Sequence, residues 1–492
     1  MRWLSEVRGG LRSIVGGGGH RLQRTLLPNY LPGVQKGPVV FLGLAVAFSL
    51  LGDVTLYVVL PVYHGALGLS PVQVGILLSA NRWVRLLTND WARRIIDRRR
   101  PEHVFAAVLA TGAAATALYA SSPPFLIFLA ARLLWGASWS FIRHLGVMTV
   151  LSVAPRADSA AARRLLSPGR TAPHRPAPTG GHSGGVLGLY NAVVQVGFIG
   201  GTITGGLLFD RFGFGLAFAV MALVSLTALI FDYAGFALLR SAQAQPGGTA
   251  SGPVATPAHL HSARPAPRPA AAPTTAHTTA HTTARPSYLL LLRGFVVTCV
   301  GTGLIVSTLG FALQSRLGPS IYAGGVLIGV TTITALVIAA HYLIQSMGSL
   351  PLGLMVDRLG FRRAENYAFA IGAIALGGAA WFPEYRFLLP AVVVFFIVTV
   401  MAKLALVARA GLGGSVSFSR FMTAADLGAA VGPIVGWVTI AQLNSADAVF
   451  AFGAVLYLLA AVAGSGSRGT AVLTENPGSK DIASQGEGSW QD

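Results

Sequence analysis

Residues 341–358 read HYLIQSMGSLPLGLMVDR, and residues 81–98 read NRWVRLLTNDWARRIIDR. Both stretches end in Asp-Arg and carry polar residues at the same spacing before it. The matched positions are Asn81 with His341, Arg85 with Gln345, and Asp97 with Asp357. Recurrence at a fixed spacing indicates an internal repeat. We therefore expect a chain built from two similar halves.

Two glycine series support the same division. Gly197, Gly201 and Gly205 recur as Gly428, Gly432 and Gly436, a spacing that permits close contact between helices. The interval from Asp97 to Gly197 is 100 residues and that from Asp357 to Gly428 is 71 residues. The excess of 29 residues is about the length of the low-complexity segment 155–184. An insert in the first half explains the mismatch.

The composition predicts a membrane protein. Hydrophobic residues make up 53% of the chain, mean hydropathy is +0.62, and only 11% of residues are charged, against roughly 25% in an ordinary soluble domain. A membrane-spanning helix needs about 20 mainly apolar residues. The apolar stretches predict an all-α integral membrane protein with twelve transmembrane helices, at residues 39–63, 71–95, 103–121, 124–152, 185–209, 214–238, 288–314, 322–352, 365–382, 387–407, 418–441 and 447–464. Pro351 is expected to kink the eighth helix.

The cations predict the orientation, because arginines in short loops stay on the cytoplasmic side. Arginines cluster after the second, fourth and eighth spans, whereas the opposite loops hold only Arg211, Arg316 and Arg386. Both termini are thus expected in the cytoplasm, for a multi-pass protein of the cell (plasma) inner membrane.

Segments rich in Pro, Gly, Ala, Thr and His set the domain boundaries, since they lack apolar residues to bury. We expect a basic cytoplasmic tail at 1–37, a six-helix bundle at 38–239 with a disordered insert at 155–184, a disordered linker at 240–287, a second bundle at 288–464, and a cytoplasmic tail at 465–492.

Several function classes lack support in the sequence. The net charge of +19 comes from arginines between apolar segments, so no nucleic-acid partner is expected. Cys299 is the only cysteine, and no cluster with metal-ligand spacing, nucleotide loop or hydrolase motif is present. We predict no metal, no cofactor and no enzymatic activity.

The stretch Gly353–Arg363, GLMVDRLGFRR, resembles the G-x-x-x-D-R-x-G-x-R-R motif of the major facilitator superfamily. In the first half only Asp97 and Arg98 match, because Arg93 replaces the first glycine and the second glycine is missing. The resemblance covers roughly residues 38–464 and implies two six-helix bundles of a secondary transporter, a small-molecule substrate, and a monomer in the bilayer. The implied gating residues are Asp97, Arg98, Gly353, Asp357, Arg358, Gly360, Arg362 and Arg363.

A second resemblance concerns coupling. Arg132-LLW-Gly136 is similar to the family's R-x-x-x-G pattern in the fourth helix, which implies a part for Arg132 in proton coupling. An arginine within the bilayer costs at least ~2.5 kcal/mol and therefore needs a partner or an aqueous cavity. Asp53, the only acid of the first span, is the most economical partner. The alternative is a permanent structural salt bridge between two helices.

The substrate cavity is expected at the interface between the halves, near the bilayer midplane. Polar residues within the spans predict its lining, namely Asn81, Arg85, Asn191, Gln195, His341, Gln345 and Asp426. Arg85, deep in its span, indicates an anionic group on the substrate, unless Asp90 neutralises it.

The direction of transport has a weaker signal. The series Gly197–Gly206 looks like the exporters' pattern of the superfamily, with Thr202 in place of its proline. The sequence thus favours proton-coupled efflux by an antiporter. The alternatives are an uptake symporter or uniporter for a sugar or organic anion, and a non-transporting sensor or scaffold on a transporter fold.

Overall fold

A computed structural model describes residues 36–96, 98–152, 183–243, 288–382 and 384–465, and these are almost entirely helical. The predicted tails, the insert 155–184, the linker 240–287 and Asp97 lie wholly or mostly outside the described residues.

The first half contributes six helical rods, numbered α1 to α6. Their bounds are Lys36–Ser49 and Leu51–Tyr63 for α1, Pro71–Ile96 for α2, Pro101–Ala120 for α3 and Phe125–Ser152 for α4. Rods α5 and α6 form one continuous stretch, Ser183–Leu226 followed by Ala228–Gln243, which turns at Gly213. We call the part before Gly213 α5 and the part after it α6. Gly213 has a φ of 77°, a conformation that glycine adopts without strain.

The second half contributes α7 to α12. Rod α7 comprises Tyr288–Thr298, a π-helical turn at Cys299–Ile305, and Val306–Leu317. A hairpin of β1 (Ser320–Ala323) and β2 (Val326–Gly329) precedes α8, which comprises Val330–Met347 and Ser349–Leu359. The remaining bounds are Phe361–Trp381 for α9, Tyr385–Leu412 for α10, Gly414–Leu443 for α11 and Asp447–Ser465 for α12.

The hairpin corrects the predicted start of the eighth span, because residues 320–329 are strands and the helix begins at Val330. Rod α8 is interrupted at Gly348, three residues before Pro351. The proline ring clashes with the carbonyl four residues earlier, at Met347, which explains why the first segment ends there.

The apolar length of the helices agrees with a multi-pass membrane protein. Among the described residues, nine helices are long and apolar enough to cross a membrane, and the 57-residue stretch Gly185–Ser241 among them holds both α5 and α6. Rods α2 and α9 fall outside this group because they carry more polar and charged side chains.

The two halves share one packing pattern. In the first half α1 packs on α5, α2 on α4, α3 on α4, and α6 on α1 and α3. In the second half α7 packs on α11, α8 on α10, α9 on α10, and α12 on α7 and α9. The predicted pseudo-symmetric arrangement of two bundles is therefore present in the tertiary contacts.

Both glycine series lie where rods cross closely. A Cβ on Gly197 would collide with the backbone of Ala47 in α1, and one on Gly432 would collide with the backbone of Cys299 in α7. The absent side chains thus allow α5 to touch α1 and α11 to touch α7.

The halves meet through α2 with α11, α5 with α8, and α1 with α7. We call the end of the bundle where α1 begins and α12 ends the termini face, and the opposite end the far face. Hydrogen bonds between the halves lie at mid-height and toward the far face, as with Ser79 Oγ to the Ala430 carbonyl at 2.7 Å. At the far face, His64 packs edge-on against Trp437, with ring centroids 5.1 Å apart.

Candidate functional site

A cavity of about 220 Å³ lies between the two halves at mid-height. Its polar lining in the first half consists of Asp53, Tyr57, Asn81, Arg82 and Arg85. The second half contributes Thr302, His341 and Ala429. Aromatic walls are formed by Trp135, Trp139, Phe198 and Tyr342.

Asp53 and Arg132 form a salt bridge in the wall of this cavity. Asp53 is 6% exposed and Arg132 is fully buried, so water screens the pair little. The Arg132 Nε also donates to the Leu77 carbonyl at 3.0 Å, which fixes the guanidinium against α2. The structure therefore brings together the two residues assigned to proton coupling, and their role stays a prediction.

Local structure explains how α1 presents Asp53. Rod α1 is interrupted at Leu50, and Asp53 lies in the first turn of its second segment. Gly52 brings this segment against Thr116 of α3, where a Cβ would collide.

Asn81 and Tyr57 join the ion pair to the neighbouring helix. Asn81 Nδ2 donates to Asp53 at 3.3 Å, and the Tyr57 hydroxyl lies 2.8 Å from the Leu78 carbonyl and 3.3 Å from the Asn81 side-chain oxygen. The Tyr57 ring also lies under Arg132, whose Cζ is 5.7 Å from the ring centroid. Rods α1, α2 and α4 are thereby connected through one polar network.

Three buried donors beside this network have no hydrogen-bond partner among the described residues. They are Arg132 Nη2, Trp135 Nε1 and the Tyr119 hydroxyl. A buried donor without a partner carries a desolvation penalty of about 1–3 kcal/mol. Arg132 and Tyr119 do not line the cavity, and the Trp135 Nε1 lies against Gly112 of α3, so these donors sit behind the cavity wall.

The second half faces this wall with His341 and Tyr342 of α8. His341 is 1% exposed, its ring centroid is 4.3 Å from that of Phe396, and its Nδ1 has no partner among the described residues. Gln195 of α5 reaches across the halves, since its Nε2 donates to the Tyr342 carbonyl at 3.1 Å.

The other predicted lining residues lie outside the cavity. Asn191 is exposed, and Gln345, Gln195 and Asp426 are half-buried. On α5, Asn191 lies about two turns and Gln195 about one turn closer to the termini face than the lining residue Phe198. Gln345 lies about one turn closer than His341, and Asp426 about one turn closer than Ala429. Their role in lining a substrate path stays a prediction.

The gating motif lies at the termini face, between α8 and α9. Gly360 has a φ of 78°, so the tight turn between the rods requires a glycine. Asp357, Arg358, Arg362 and Arg363 are exposed, and Asp357 forms no ion pair among the described residues. A Cβ on Gly353 would meet no atom within 4 Å, and Arg98 is exposed as well. Among the described residues, the charged side chains of the motif form no ion pair with a neighbouring helix.

The buried charges at that end are different residues. Glu365 of α9 is fully buried and pairs with Arg293 of α7 at 2.7 Å and with Arg409 of α10. Arg293 also donates to the Asn366 side-chain oxygen at 2.6 Å and to the Ala460 carbonyl at 2.9 Å. We call Arg293, Glu365 and Arg409 the buried charge triad. It joins four rods of the second half.

Sequence reasoning missed Arg82, Tyr57 and the buried charge triad. The signal was available, because Arg82, Arg293 and Glu365 are charged residues within or at the ends of apolar spans. Across the described ranges no group of three or more His, Cys, Asp or Glu is placed to hold a metal.

Comparisons with known proteins agree with the fold. The family model described as Major Facilitator Superfamily matches residues 42–412. No curated protein sequence matches the chain.

Among solved structures, a bacterial homologue of the human lysosomal transporter Spinster, inward-facing and unoccupied, has a TM-score of 0.60 at 13% identity, covering 86% of this chain and 95% of its own. The nucleoside transporter NupG has a TM-score of 0.61 at 12% identity, covering 87% and 98%. A POT family transporter in complex with a thioalcohol-conjugated peptide has a TM-score of 0.57 at 11% identity, covering 87% and 94%. At these identities the likeness concerns the fold alone.

Proposed function

Because the chain belongs to the Major Facilitator Superfamily, we propose that it is a secondary transporter that moves a small organic solute across the membrane by alternating access, coupled to protons. It acts as a transporter and not as an enzyme, and the family's usual condition makes it a monomer. The observation that carries the proposal is the Asp53 and Arg132 pair in the wall of a cavity between the two halves.

The conformation supports alternating access. The hydrogen bonds between the halves that the described residues form lie at mid-height and toward the far face, and on this basis we take the cavity to open toward the termini face. With both termini in the cytoplasm, as the arginine loops predict, this is an inward-facing state of a plasma-membrane protein. The inward-facing Spinster homologue shares the fold.

Coupling follows from the environment of Asp53. A carboxylate beside a guanidinium holds its charge, whereas one left alone in an apolar wall takes up a proton. In the proposed antiport, proton uptake by Asp53 from the outer side neutralises the carboxylate, breaks its ion pair with Arg132 and accompanies release of the substrate. Release of the proton on the cytoplasmic side restores the pair, and the next substrate then binds. One proton thus crosses per cycle, and each charge moved across 100 mV contributes about 2.3 kcal/mol.

We propose efflux as the direction, on the glycine series of α5. That series packs on α1, which carries Asp53, and apart from Thr202 it resembles the exporters' pattern. The second candidate, uptake or uniport of an organic anion, is favoured by Arg82 and Arg85 in the cavity wall.

The test is substrate-dependent proton flux in liposomes that contain the purified protein and an internal pH indicator. A panel of sugars, organic anions and amphiphilic cations is presented to wild type, Asp53→Asn and Glu102→Gln. Glu102 pairs with Arg240, which is 54% exposed and far from the cavity. Glu102→Gln is therefore the control, because it also removes a carboxylate but does so outside the site.

Coupling at Asp53 predicts proton flux in wild type and in Glu102→Gln. In Asp53→Asn at least about 90% of that flux should be lost, because an amide side chain cannot take up and release the transported proton. Proton-coupled solute flux that persists unchanged in Asp53→Asn contradicts the role of Asp53 and favours Asp426 as the coupling residue. Solute flux without proton flux in the wild type favours a uniport mechanism.

A further inference from the structure

Arg82 of α2 crosses from the first half to two backbone carbonyls of the second half. Its Nη1 donates to the carbonyl of Ala429 in α11, and its Nη2 donates to that of Thr302 in α7 at 3.1 Å. Its Cζ also lies 5.4 Å from the centroid of the Tyr57 ring. One side chain therefore connects α2 to both α7 and α11.

Pro433 and the π-helical turn explain why these two carbonyls can accept hydrogen bonds from Arg82. In an α-helix the Ala429 carbonyl would accept from the amide of residue 433, but Pro433 has no N–H. The Thr302 carbonyl lies in the π-helical turn, and the Val306 N–H that would serve it in an α-helix donates to Gly303 instead. The Ala429 carbonyl has therefore lost its usual donor, and the Thr302 carbonyl is not served by the Val306 N–H; Arg82 donates to both.

The charge of Arg82 has no ion-pair partner among the described residues. None of the five ion pairs there includes Arg82 or Arg85. Asp53 is the one carboxylate in the cavity lining, and Arg132 already pairs with it. Arg85 lies one turn from Arg82 and lines the same cavity. The cavity wall thus has a surplus of positive charge.

An anion binds a guanidinium more strongly than a neutral carbonyl does, because both partners are charged and bind through two parallel hydrogen bonds. An anionic group entering the cavity therefore competes with Ala429 and Thr302 for Arg82. Loss of those bonds leaves the Ser79 bond to Ala430 and weakens the contact of α2 with α7 and α11, which continues to the far face at Gly75 and Trp437. A ligand shifts a conformational equilibrium only through such a difference between states.

We propose that Arg82 is a substrate-responsive latch: a carboxylate or phosphate of a small aromatic substrate takes its guanidinium from the Ala429 and Thr302 carbonyls and so permits the far face to open. The inference rests on the proposed transport function and specifies its substrate class. The ring of the substrate is accommodated by Tyr57, Trp135, Phe198 and Tyr342, and the volume of about 220 Å³ limits it to a small molecule.

The test measures the far-face distance with spin labels on Ala66→Cys and Tyr322→Cys, both exposed there on opposite halves, in a Cys299→Ala background. Benzoate and phenyl phosphate are the anionic probes, and benzamide is the neutral control. The proteins are the labelled parent, Arg82→Gln, Arg85→Gln and Pro433→Ala, with probe affinities measured by calorimetry.

In the labelled parent both anions, and not benzamide, should lengthen the distance. Arg82→Gln should lengthen it without any ligand and weaken anion binding at least about tenfold, the loss of one charged hydrogen bond. Arg85→Gln should weaken binding but leave the ligand-free distance unchanged, because it has no bond to the carbonyls.

Pro433→Ala is the most specific test of the latch, because it keeps Arg82 and restores an N–H that can donate to the Ala429 carbonyl. It should lengthen the ligand-free distance and tighten anion binding. The latch is overturned if Arg82→Gln leaves the ligand-free distance unchanged, or if benzoate lengthens the distance equally in Arg82→Gln. These distances need no transport, so a failure of the proton-flux assay is distinguishable from a failure of the latch.

Discussion

The carboxylate of Asp210 accepts hydrogen bonds from the backbone N–H of Thr332 at 2.8 Å and from its hydroxyl at 2.5 Å. Asp210 ends the α5 region of the first half, and Thr332 is the third residue of α8 in the second half. An acidic side chain that accepts from the third amide of a helix is an N-cap contact, here supplied by the other half. Closure of the far face therefore completes a helix that is otherwise uncapped.

Asp210→Ala should shift the conformational equilibrium toward an open far face. Loss of an N-cap costs about 1 kcal/mol, which changes the ratio of two states about fivefold. The labels on Ala66→Cys and Tyr322→Cys report it. Asp210→Asn keeps an acceptor and should shift the ratio less. Equal distances in Asp210→Ala and its parent contradict the capping role.

Gly206 sets the spacing of the same interface. A Cβ there would lie 2.6 Å from the Cβ of Ala335 and 3.0 Å from the Thr331 carbonyl, both in α8. Gly206→Val should push α5 from α8 and populate the open far face without unfolding either bundle. Increased labelling of far-face cysteines at an unchanged melting temperature is the expected result, and a lowered melting temperature without increased labelling opposes it.

Gly197 and Gly200 form a matched pair on α5. Gly197→Ala meets the Ala47 backbone in the same half, so it should lower the melting temperature. Gly200→Ala meets no atom within 4 Å and should be neutral or stabilising by up to about 1 kcal/mol, through helix propensity. Thermal unfolding in detergent compares them, and equal losses in both variants contradict the close crossing of α1 and α5.

Glu365 should be the most sensitive carboxylate for stability. Glu365→Gln leaves Arg293 and Arg409 without a counter-charge at a buried site, and removal of one partner of a buried pair costs about 3–5 kcal/mol. Glu102→Gln, in a largely exposed pair, should change stability by no more than about 1 kcal/mol. Similar melting temperatures for the two variants would show that Glu365 is not held charged.

Much of the architecture could be predicted from the sequence. Apolar spans of about 20 residues have few alternatives to membrane helices, because lipid leaves no partner for an unpaired backbone group. The matched spacing around Asp97 and Asp357 predicted two halves, and their contacts follow one pattern. The exception was residues 320–329, where apolar residues form a hairpin, since periodicity does not separate short strands from the start of a helix.

The candidate site was predictable only in part. A charged residue in an apolar span must find a partner, which is enough to single out Asp53 and Arg132 without their distance. Asn191 and Asp426 were chosen by the same reasoning, yet they lie nearer the termini face than the cavity. Their heights depend on how the halves tilt, and no local pattern encodes that angle.

The sequence by itself determined the helices, the two halves, and the vacant acceptor at Ala429, because Pro433 removes a donor wherever its helix packs. Only the tertiary structure decided that Arg82 fills the place at Ala429 and that Asp210 caps α8. Those partners come from the other half of the chain, and a hydrogen bond between distant residues forms only where packing brings donor and acceptor within about 3 Å.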